Sequence, residues 1–280
     1  MLRLIEGGAK TGKSTRVREE LLALARQEDA APGGLVLLVP EQFSYETERE
    51  YFTALGIRRA DRVRVLSFQR LAQEIFREYG GLAGETADDS ARLLAMRLAL
   101  QDCKGELALY GPLVRRPDFP GQMVRAMAEL KHAAVSPDAL EEAAGKAQGF
   151  LRDKLADLSL IRNTYETLLG ARFRDDEDDL DRAAQLIREN RWFAGKAVWL
   201  DGFKSFTAAQ EQIIGLMLEQ NAQVTAVLSL TSGDSRFSTT EETARRLRTL
   251  ARKAGARTAS PERLTEPRGF ADDSLRWFAD

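Results

Sequence analysis

Short apolar runs alternate with amphipathic stretches in the first part of the chain. Residues 35–39 form a continuous apolar run between turn residues, which is typical of a strand buried on both faces. Residues 13–26 carry Val17, Leu21 and Leu24 on one side, at the spacing of a helix. The full pattern predicts strands over 2–5, 35–39 and 63–66 and helices over 13–26, 44–55 and, after a Ser67 cap, 68–79. Strands that alternate with helices indicate a parallel, doubly wound sheet.

The pattern changes in the middle of the chain. Between about residues 88 and 190 no convincing strand is found, and helical spacing recurs instead. The predicted helices there cover 91–100, 119–134, 137–147, 150–169 and 180–189. The alternation then returns, with strands predicted over 197–200 and 224–230 and helices over 207–218 and 241–254. We therefore predict one α/β domain, formed by 1–84 and 191–280, that is interrupted by an inserted all-helical domain over 85–190.

Composition and charge narrow the classes of protein. Hydrophobic residues make up 44% of the 280 residues, enough for a sizeable core, and 41 basic residues nearly balance 43 acidic ones. Global charge therefore gives no argument for nucleic acid or for a membrane surface. The single Cys103 excludes a disulfide within the chain and a zinc site built on cysteines, and the single His132 argues against a metal site built on a histidine cluster. Because no apolar run approaches the roughly 18 residues of a membrane span and no signal peptide is visible, we expect a cytoplasmic protein.

A glycine-rich segment between the first strand and the first helix carries the most specific chemical signal. Residues 7–14 match the phosphate-loop pattern without a mismatch. Glycines let backbone N–H groups converge on phosphate oxygens, and the following helix points its positive end at the same anion. Lys13 would reach the β- and γ-phosphates, and the Ser14 hydroxyl would ligate Mg²⁺. We therefore predict that ATP and Mg²⁺ bind at Gly7, Gly8, Ala9, Lys10, Thr11, Gly12, Lys13, Ser14 and Thr15.

An acidic residue after a later strand completes the predicted magnesium site. Four apolar residues, 197–200, precede Asp201, so its carboxylate would lie at the sheet edge where Mg²⁺ needs a second ligand. We predict that the strand before the phosphate loop and the strand before Asp201 are central neighbours in the sheet. Gly202 follows at the place where many phosphate-loop motors carry a glutamate that activates water. The sequence therefore predicts a site that binds nucleotide and hydrolyses it poorly.

Four stretches give the chain a resemblance to a known family. They are residues 7–14, 38–44 (LVPEQFS), 65–71 (VLSFQRL) and 200–207 (LDGFKSFT). The second and the last are far more distinctive than the phosphate loop, which countless families share. In their order and spacing the four stretches resemble the N-terminal part of the AddB (RexB) family, the B subunits of the bacterial ATP-dependent helicase–nuclease AddAB. The resemblance covers residues 1 to about 215, and 236–255 also fits.

The resemblance implies a superfamily 1 helicase-like domain, which is a P-loop NTPase fold with a parallel sheet and a helical insertion. It also implies that the segments after the second and third strands lie where helicases touch single-stranded DNA. The implied DNA-binding residues are Gln42, Phe43, Ser67 and Phe68. The implied partners are DNA, as single strands or broken ends, and the catalytic A subunit of a heterodimer, and no membrane. The implied role is the repair and recombination of double-strand breaks.

Departures from the family pattern imply a degenerate motor. The chain begins at its first strand, so the upstream glutamine motif that grips adenine in active helicases has no room. Gly202 replaces the catalytic glutamate, and the arginines that a second motor domain would supply are missing. A nuclease domain with an iron–sulfur cluster is excluded here, because one cysteine cannot supply four ligands. We therefore expect a nucleotide-binding scaffold and reader of a DNA sequence (Chi) that has no ATPase activity by itself.

Two other functions stay open at this point. One is an independent P-loop kinase whose helical block serves as a substrate lid, which would need lid arginines facing the phosphate loop and a base near the acceptor. The other is an interaction module that works without nucleotide and keeps a vestigial phosphate loop. Binding of a labelled ATP analogue with Mg²⁺ would separate this module from the helicase-like subunit and from the kinase, which both bind nucleotide.

Overall fold

The computed structural model describes residues 1–81, 86–133, 135–173, 178–230 and 237–266. The chain divides into two compact units. The first unit comprises Met1–Tyr79, Ala183–Phe206 and Gln210–Asp280, and the second comprises Gly80–Arg182 and Thr207–Ala209. Across the described ranges, every helix is too short or too polar to span a lipid bilayer.

The first unit is built on a six-stranded sheet. Its strands are β1 (Leu2–Gly7), β2 (Leu35–Leu38), β3 (Val63–Leu66), β4 (Ala197–Leu200), β5 (Gln223–Ser229) and β6 (Glu262–Leu264). They lie in the order β3-β2-β4-β5-β1-β6, and every neighbouring pair is parallel. The α/β class, the parallel sheet and the five predicted strands are therefore confirmed, with bounds that differ by no more than two residues.

The strand order corrects one prediction. β1 and β4 are not neighbours, because β5 lies between them and pairs with both. Ala226 of β5 is aligned with Leu4 on one side and with Leu200 on the other. The five central residues of β5 are all buried, as an interior strand of a parallel sheet requires. The sequence does not predict β6, because three residues, Glu-Arg-Leu, carry no recognisable strand pattern.

Besides the larger part of α8 (Asp179–Asn190), five helices among the described residues belong wholly or mainly to the sheet unit. They are α1 (Lys13–Arg26), α2 (Glu41–Leu55), α3 (Phe68–Tyr79), α9 (Ala208–Glu219) and α10 (Ser238–Lys253). α1 covers its predicted range and buries Val17, Leu21 and Ala25, which recur at the spacing of one helix face. α3 begins as predicted, because the Ser67 hydroxyl accepts the Arg70 N–H at 3.1 Å. α2 begins at Glu41, three residues before the predicted start.

The second unit is helical. It contains α4 (Asp89–Cys103), α5 (Phe119–His132), α6 (Pro137–Lys146), α7 (Gly149–Gly170) and the start of α8 (Asp179–Asn190), which ends in the first unit. The described residues between 88 and 190 form helices and no strand, as their spacing predicts. α4, α5 and α7 share an apolar core that includes Met96, Leu100, Met123, Ile161 and Tyr165.

A buried carboxylate fixes the loop that follows α4. Asp157 of α7 is 3% exposed and accepts three backbone hydrogen bonds. The donors are the N–H groups of Ala108 at 2.9 Å, Leu109 at 2.8 Å and Tyr110 at 2.9 Å. The loop has no ladder of its own for these donors, so the carboxylate satisfies backbone groups that would otherwise be costly to bury.

Candidate nucleotide-binding site

The loop between β1 and α1 presents backbone donors at the start of a helix. Gly12 is the residue before α1 and has a φ of 82°, in the left-handed region that glycine tolerates best. The first turn of α1 begins with the hydrogen bond from Arg16 N–H to Gly12 O, at 2.8 Å. The free N–H groups of this turn and the positive end of the helix dipole together favour an anion.

Gly7 is required by close approach. A Cβ atom at Gly7 would lie 2.5 Å from the Leu264 carbonyl oxygen and 2.5 Å from Thr11 Oγ1. The Gly7 carbonyl also accepts the Leu230 N–H at 3.1 Å. At Gly7, β1 thus meets both β6 and the residue that follows β5. No larger residue fits there.

The Lys13 side chain folds back onto its own loop. Lys13 is buried, and its ammonium donates to the Gly7 carbonyl at 2.8 Å and to the Gly8 carbonyl. Burial lowers the pKa of Lys13, and the negative charge of Asp201 partly opposes this shift. The ammonium therefore lies at the centre of the loop, where added anionic oxygens would compensate its desolvated charge.

Ser14 and Asp201 meet beside the loop. The Ser14 hydroxyl donates to the Asp201 carboxylate, which also accepts the Gly202 N–H. Burial raises the pKa of Asp201, while these two hydrogen bonds and the charge of Lys13 lower it in part. The main chain of Asp201 is tied to the sheet edge by its N–H, which donates to Leu38 O at 3.0 Å. The two side chains meet although a strand separates β1 from β4, because α1 starts next to the end of β4.

Ser14 and Asp201 fit a magnesium ion that takes its other ligands from phosphate oxygens. Mg²⁺ prefers oxygen ligands and is usually held by one or two protein groups together with substrate phosphates. Ser14 and Asp201 supply one hydroxyl and one carboxylate next to a phosphate-binding loop. Within the described residues, no group of three or more acidic, histidine or cysteine side chains could hold a metal by itself.

Two clefts flank the phosphate loop. One has a volume of about 410 Å³ and lies between α1, α2 and the end of β4. Its lining includes Ser14, Arg18, Phe43, Tyr51 and Asp201. The other has a volume of about 660 Å³ and lies between the start of α1 and β6. Its lining includes Thr11, Gly12, Arg16, Glu262 and Arg263.

Only some of the residues with a predicted DNA contact face solvent. Gln42 and Phe43 are exposed in the first turn of α2, at the sheet edge that carries the phosphate loop. Ser67 is 2% exposed and caps α3, and Phe68 is 4% exposed. The Phe68 ring packs edge-on against Phe203 at 5.6 Å and also against Phe206. The DNA contacts themselves stay a prediction.

Several residues that line the site carry no sequence signal of their own. Arg18 and Tyr51 are ordinary members of helical patterns, and Arg263 lies on a strand that the sequence does not predict. Glu6 precedes the glycines and reads as a strand residue, yet its buried carboxylate forms ion pairs with Arg248 and Arg263. Pairs so distant along the chain become visible only in three dimensions.

One family of known proteins matches nearly the whole chain. The family described as "ADDB, N-terminal" matches residues 4–278. The chain belongs to this family. The resemblance of the four stretches to AddB is thereby confirmed, since the match extends through the phosphate loop, the helical segment and β6.

Two curated relatives of this chain carry the same name. The chain is 34% identical over 270 residues to the B subunit of the ATP-dependent helicase/deoxyribonuclease of Moorella thermoacetica, with 91% of the chain and 23% of that protein covered. It is 34% identical over 277 residues to the B subunit of the same name from Desulforudis audaxviator, with 95% of the chain and 24% of that protein covered. The chain thus spans about a quarter of the length of the curated relatives it matches.

Proposed function

We propose that this AddB N-terminal region is the nucleotide-binding, helicase-like part of an ATP-dependent helicase–nuclease subunit that acts in the repair of broken DNA. The proposal rests above all on one observation, the position of the Ser14 hydroxyl and the Asp201 carboxylate together at one cleft, next to the buried Lys13. A strand-ending turn without a function would not require a buried carboxylate next to the hydroxyl that follows a phosphate loop. We assign the sheet unit to the P-loop NTPase class, and residues 85–190 to the insertion of a superfamily 1 helicase-like fold.

In this proposal the loop holds the phosphates and the protein holds the metal through two side chains. Backbone N–H groups of residues 7–15 would cradle the phosphates, and Lys13 would exchange a loop carbonyl for a phosphate oxygen. Ser14 and Asp201 would hold Mg²⁺, which neutralises the charge of the terminal phosphates when bound. Asp201 would then bind as a carboxylate, because an adjacent divalent cation opposes the effect of burial on its pKa.

The site is proposed to bind nucleotide without turning it over. Hydrolysis requires a group that orients water, and Gly202 has no side chain to do so. Positive charge must also reach the transition state, and a supplied arginine can contribute about 10³–10⁵ in rate. The chain therefore acts, in our proposal, as a nucleotide-controlled scaffold and not as a motor.

The proposed partners are DNA and the catalytic A subunit. Gln42 and Phe43 support a single-stranded DNA contact because they are exposed beside the phosphate loop, where an aromatic ring can stack on a base. Ser67 and Phe68 would support this surface from inside the fold, Ser67 as the cap of α3 and Phe68 through its contacts with Phe203 and Phe206. The reading of a Chi sequence and the cytoplasmic location belong to the same proposal, since the proposed substrate is chromosomal DNA.

Equilibrium binding tests the proposal directly. A fluorescent, non-hydrolysable ATP analogue with Mg²⁺ should bind the purified chain and should bind Lys13→Ala at least about ten-fold more weakly, because a charge-assisted hydrogen bond to phosphate is lost. Lys253→Ala removes an exposed lysine at the end of α10 and is the matched control. Equal affinities of the three proteins would refute the site, and no binding to the unchanged chain would favour an interaction module that works without nucleotide.

A further inference from the structure

The cleft between α1 and β6 borders the phosphate loop on the side opposite Asp201. The strand order requires this, because β6 pairs with the outer side of β1 whereas β4, which ends at Asp201, lies beyond β5 on the other side. Thr11 and Gly12 of the loop line the cleft together with Arg263 of β6. A ligand that extends past the loop in this direction would therefore meet residues of β6.

The arginines of this cleft differ in how their charge is compensated. Arg16 forms an ion pair with Glu262, with Nε 3.2 Å from Oε1. Arg263 shares its carboxylate partner, since Glu6 lies 2.8 Å from an Arg248 nitrogen and 3.5 Å from Arg263 Nε. Within this group one negative charge faces two positive ones, and the carboxylates of Glu19 and Glu266 also line the cleft. The short contact is with Arg248, which leaves the Arg263 guanidinium the more loosely held of the two.

The backbone fixes where Arg263 lies. Glu6 and Arg263 are aligned partners in the parallel pairing of β1 with β6, and Glu6 comes directly before Gly7 of the loop. The Glu6 side chain is 4% exposed, whereas that of Arg263 is 63% exposed. A buried carboxylate on a strand therefore orients a guanidinium whose remaining N–H groups are open to the cleft.

The polarity of the site indicates which part of a nucleotide would reach this arginine. Ser14 and Asp201 would hold the Mg²⁺ that accompanies the terminal phosphates, so they would mark the γ-phosphate end of a bound nucleotide. The α-phosphate then lies on the other side of the loop, which is the side of Thr11, Gly12 and Arg263.

We propose that Arg263 is a further nucleotide-binding residue, which contacts the α-phosphate, and that Glu6 is its positioning residue. The inference rests on the proposed nucleotide site and deepens it. It assigns a phosphate-binding arginine to this chain itself, on a strand far along the sequence from the loop that it completes.

Binding of non-hydrolysable ATP analogue and of ADP, each with Mg²⁺, tests the role of Arg263. Arg263→Ala should weaken both ligands by the same factor, about ten-fold, because both carry the α-phosphate, and Arg263→Lys should weaken them less. Arg245→Ala, which removes an arginine outside both clefts, should leave both affinities unchanged. A loss confined to the ATP analogue would move the contact to the γ-phosphate and overturn the assignment.

The same experiment separates two kinds of failure. If the unchanged chain binds nucleotide and Lys13→Ala weakens binding while Arg263→Ala does not, the inference is wrong and the proposed function stands. If the unchanged chain binds no nucleotide, both are wrong. Arg263 is mostly exposed, so its alanine variant should fold, and a melting curve close to that of the unchanged chain verifies this.

A double-mutant cycle tests the role of Glu6. Glu6→Gln should weaken nucleotide binding when Arg263 is present and should have no further effect in the Arg263→Ala background, because it acts through that arginine. A purely structural role of Glu6 predicts the same factor in both backgrounds, and that outcome would overturn the positioning assignment. Should Glu6→Gln fail to fold, Glu6→Asp, which keeps the charge and shortens the side chain, takes its place in the cycle.

Discussion

Pro40 occupies the space that a side chain at Gly202 would need, at the edge of the sheet. A Cβ atom at Gly202 would lie 3.1 Å from Pro40 Cδ and 3.5 Å from Pro40 Cγ. Gly202 also has a φ of 85°, a backbone conformation that residues with a side chain rarely adopt. The position where a phosphate-loop motor would carry its glutamate is therefore restricted twice, once by backbone geometry and once by a rigid neighbouring ring.

Gly202→Glu should not create an ATPase. We expect the substitution to lower the free energy of unfolding by about 1–3 kcal/mol, because it forces a side chain into the left-handed region next to Pro40. Phosphate release with or without single-stranded DNA should stay at the background level, since the added carboxylate brings no positive charge to the transition state. Release that is stimulated by DNA and abolished by Lys13→Ala would contradict this prediction.

The pH dependence of stability should report on Asp201. Burial raises its pKa above the ordinary value of 3.8, so between 3.8 and the pKa of the folded state the folded chain binds more protons than the unfolded chain. Its contribution to stability is therefore lost as the pH rises through this window. Asp201→Asn removes the titration, and the variant should gain stability relative to the unchanged chain from acidic to neutral pH in denaturant unfolding.

A change of relative stability with pH in the opposite direction would contradict the role of burial at Asp201. If Asp201→Asn lost stability relative to the unchanged chain over the same rise in pH, the hydrogen bond from Ser14 and the charge of Lys13 would outweigh desolvation. Ser14→Ala is the companion variant, since it deletes one of the interactions that lower the pKa. It should therefore widen the window in which the unchanged carboxylate destabilises the fold.

Phe43 and Phe68 should respond differently to truncation. Phe43→Ala should leave stability nearly unchanged and weaken binding of a labelled oligodeoxynucleotide, because stacking on one base contributes about 1–3 kcal/mol. Phe68→Ala should instead cost about 3–5 kcal/mol of folding free energy, because it opens a cavity beside Phe203 and Phe206. Unaltered DNA affinity of Phe43→Ala, measured by anisotropy, would argue against a DNA surface at the start of α2.

Asp157 should be important for the stability of the helical unit. Asp157→Ala leaves three backbone N–H groups without their acceptor and should cost about 2–4 kcal/mol in denaturant unfolding. Asp153→Ala, one helical turn earlier, removes a partly exposed carboxylate that pairs with its neighbour Arg152 and should change stability by less than about 1 kcal/mol. Equal losses for the two variants would show that the loop does not depend on the Asp157 carboxylate.

Local pattern was sufficient for most elements of the fold. α1, β3 and β4 have their predicted bounds, because their apolar spacing is strong and turn residues or a cap flank them. The helices between β3 and β4 could also be predicted from the sequence, because their core residues recur at 3.6-residue spacing. β6 escaped prediction because its three residues are held by pairing with β1, an interaction between segments more than 250 residues apart.

The sequence by itself determined the phosphate loop, the carboxylate at the end of β4 and the missing glutamate at Gly202. Each of these features depends on the identity of residues that are adjacent in the sequence. Only the tertiary structure decided that β5 separates β1 from β4, that Phe68 is buried, and that Glu6 holds Arg263 at the edge of the loop. Such relationships depend on which strands pair and which rings pack, and these choices follow from the total burial of apolar surface rather than from any local pattern.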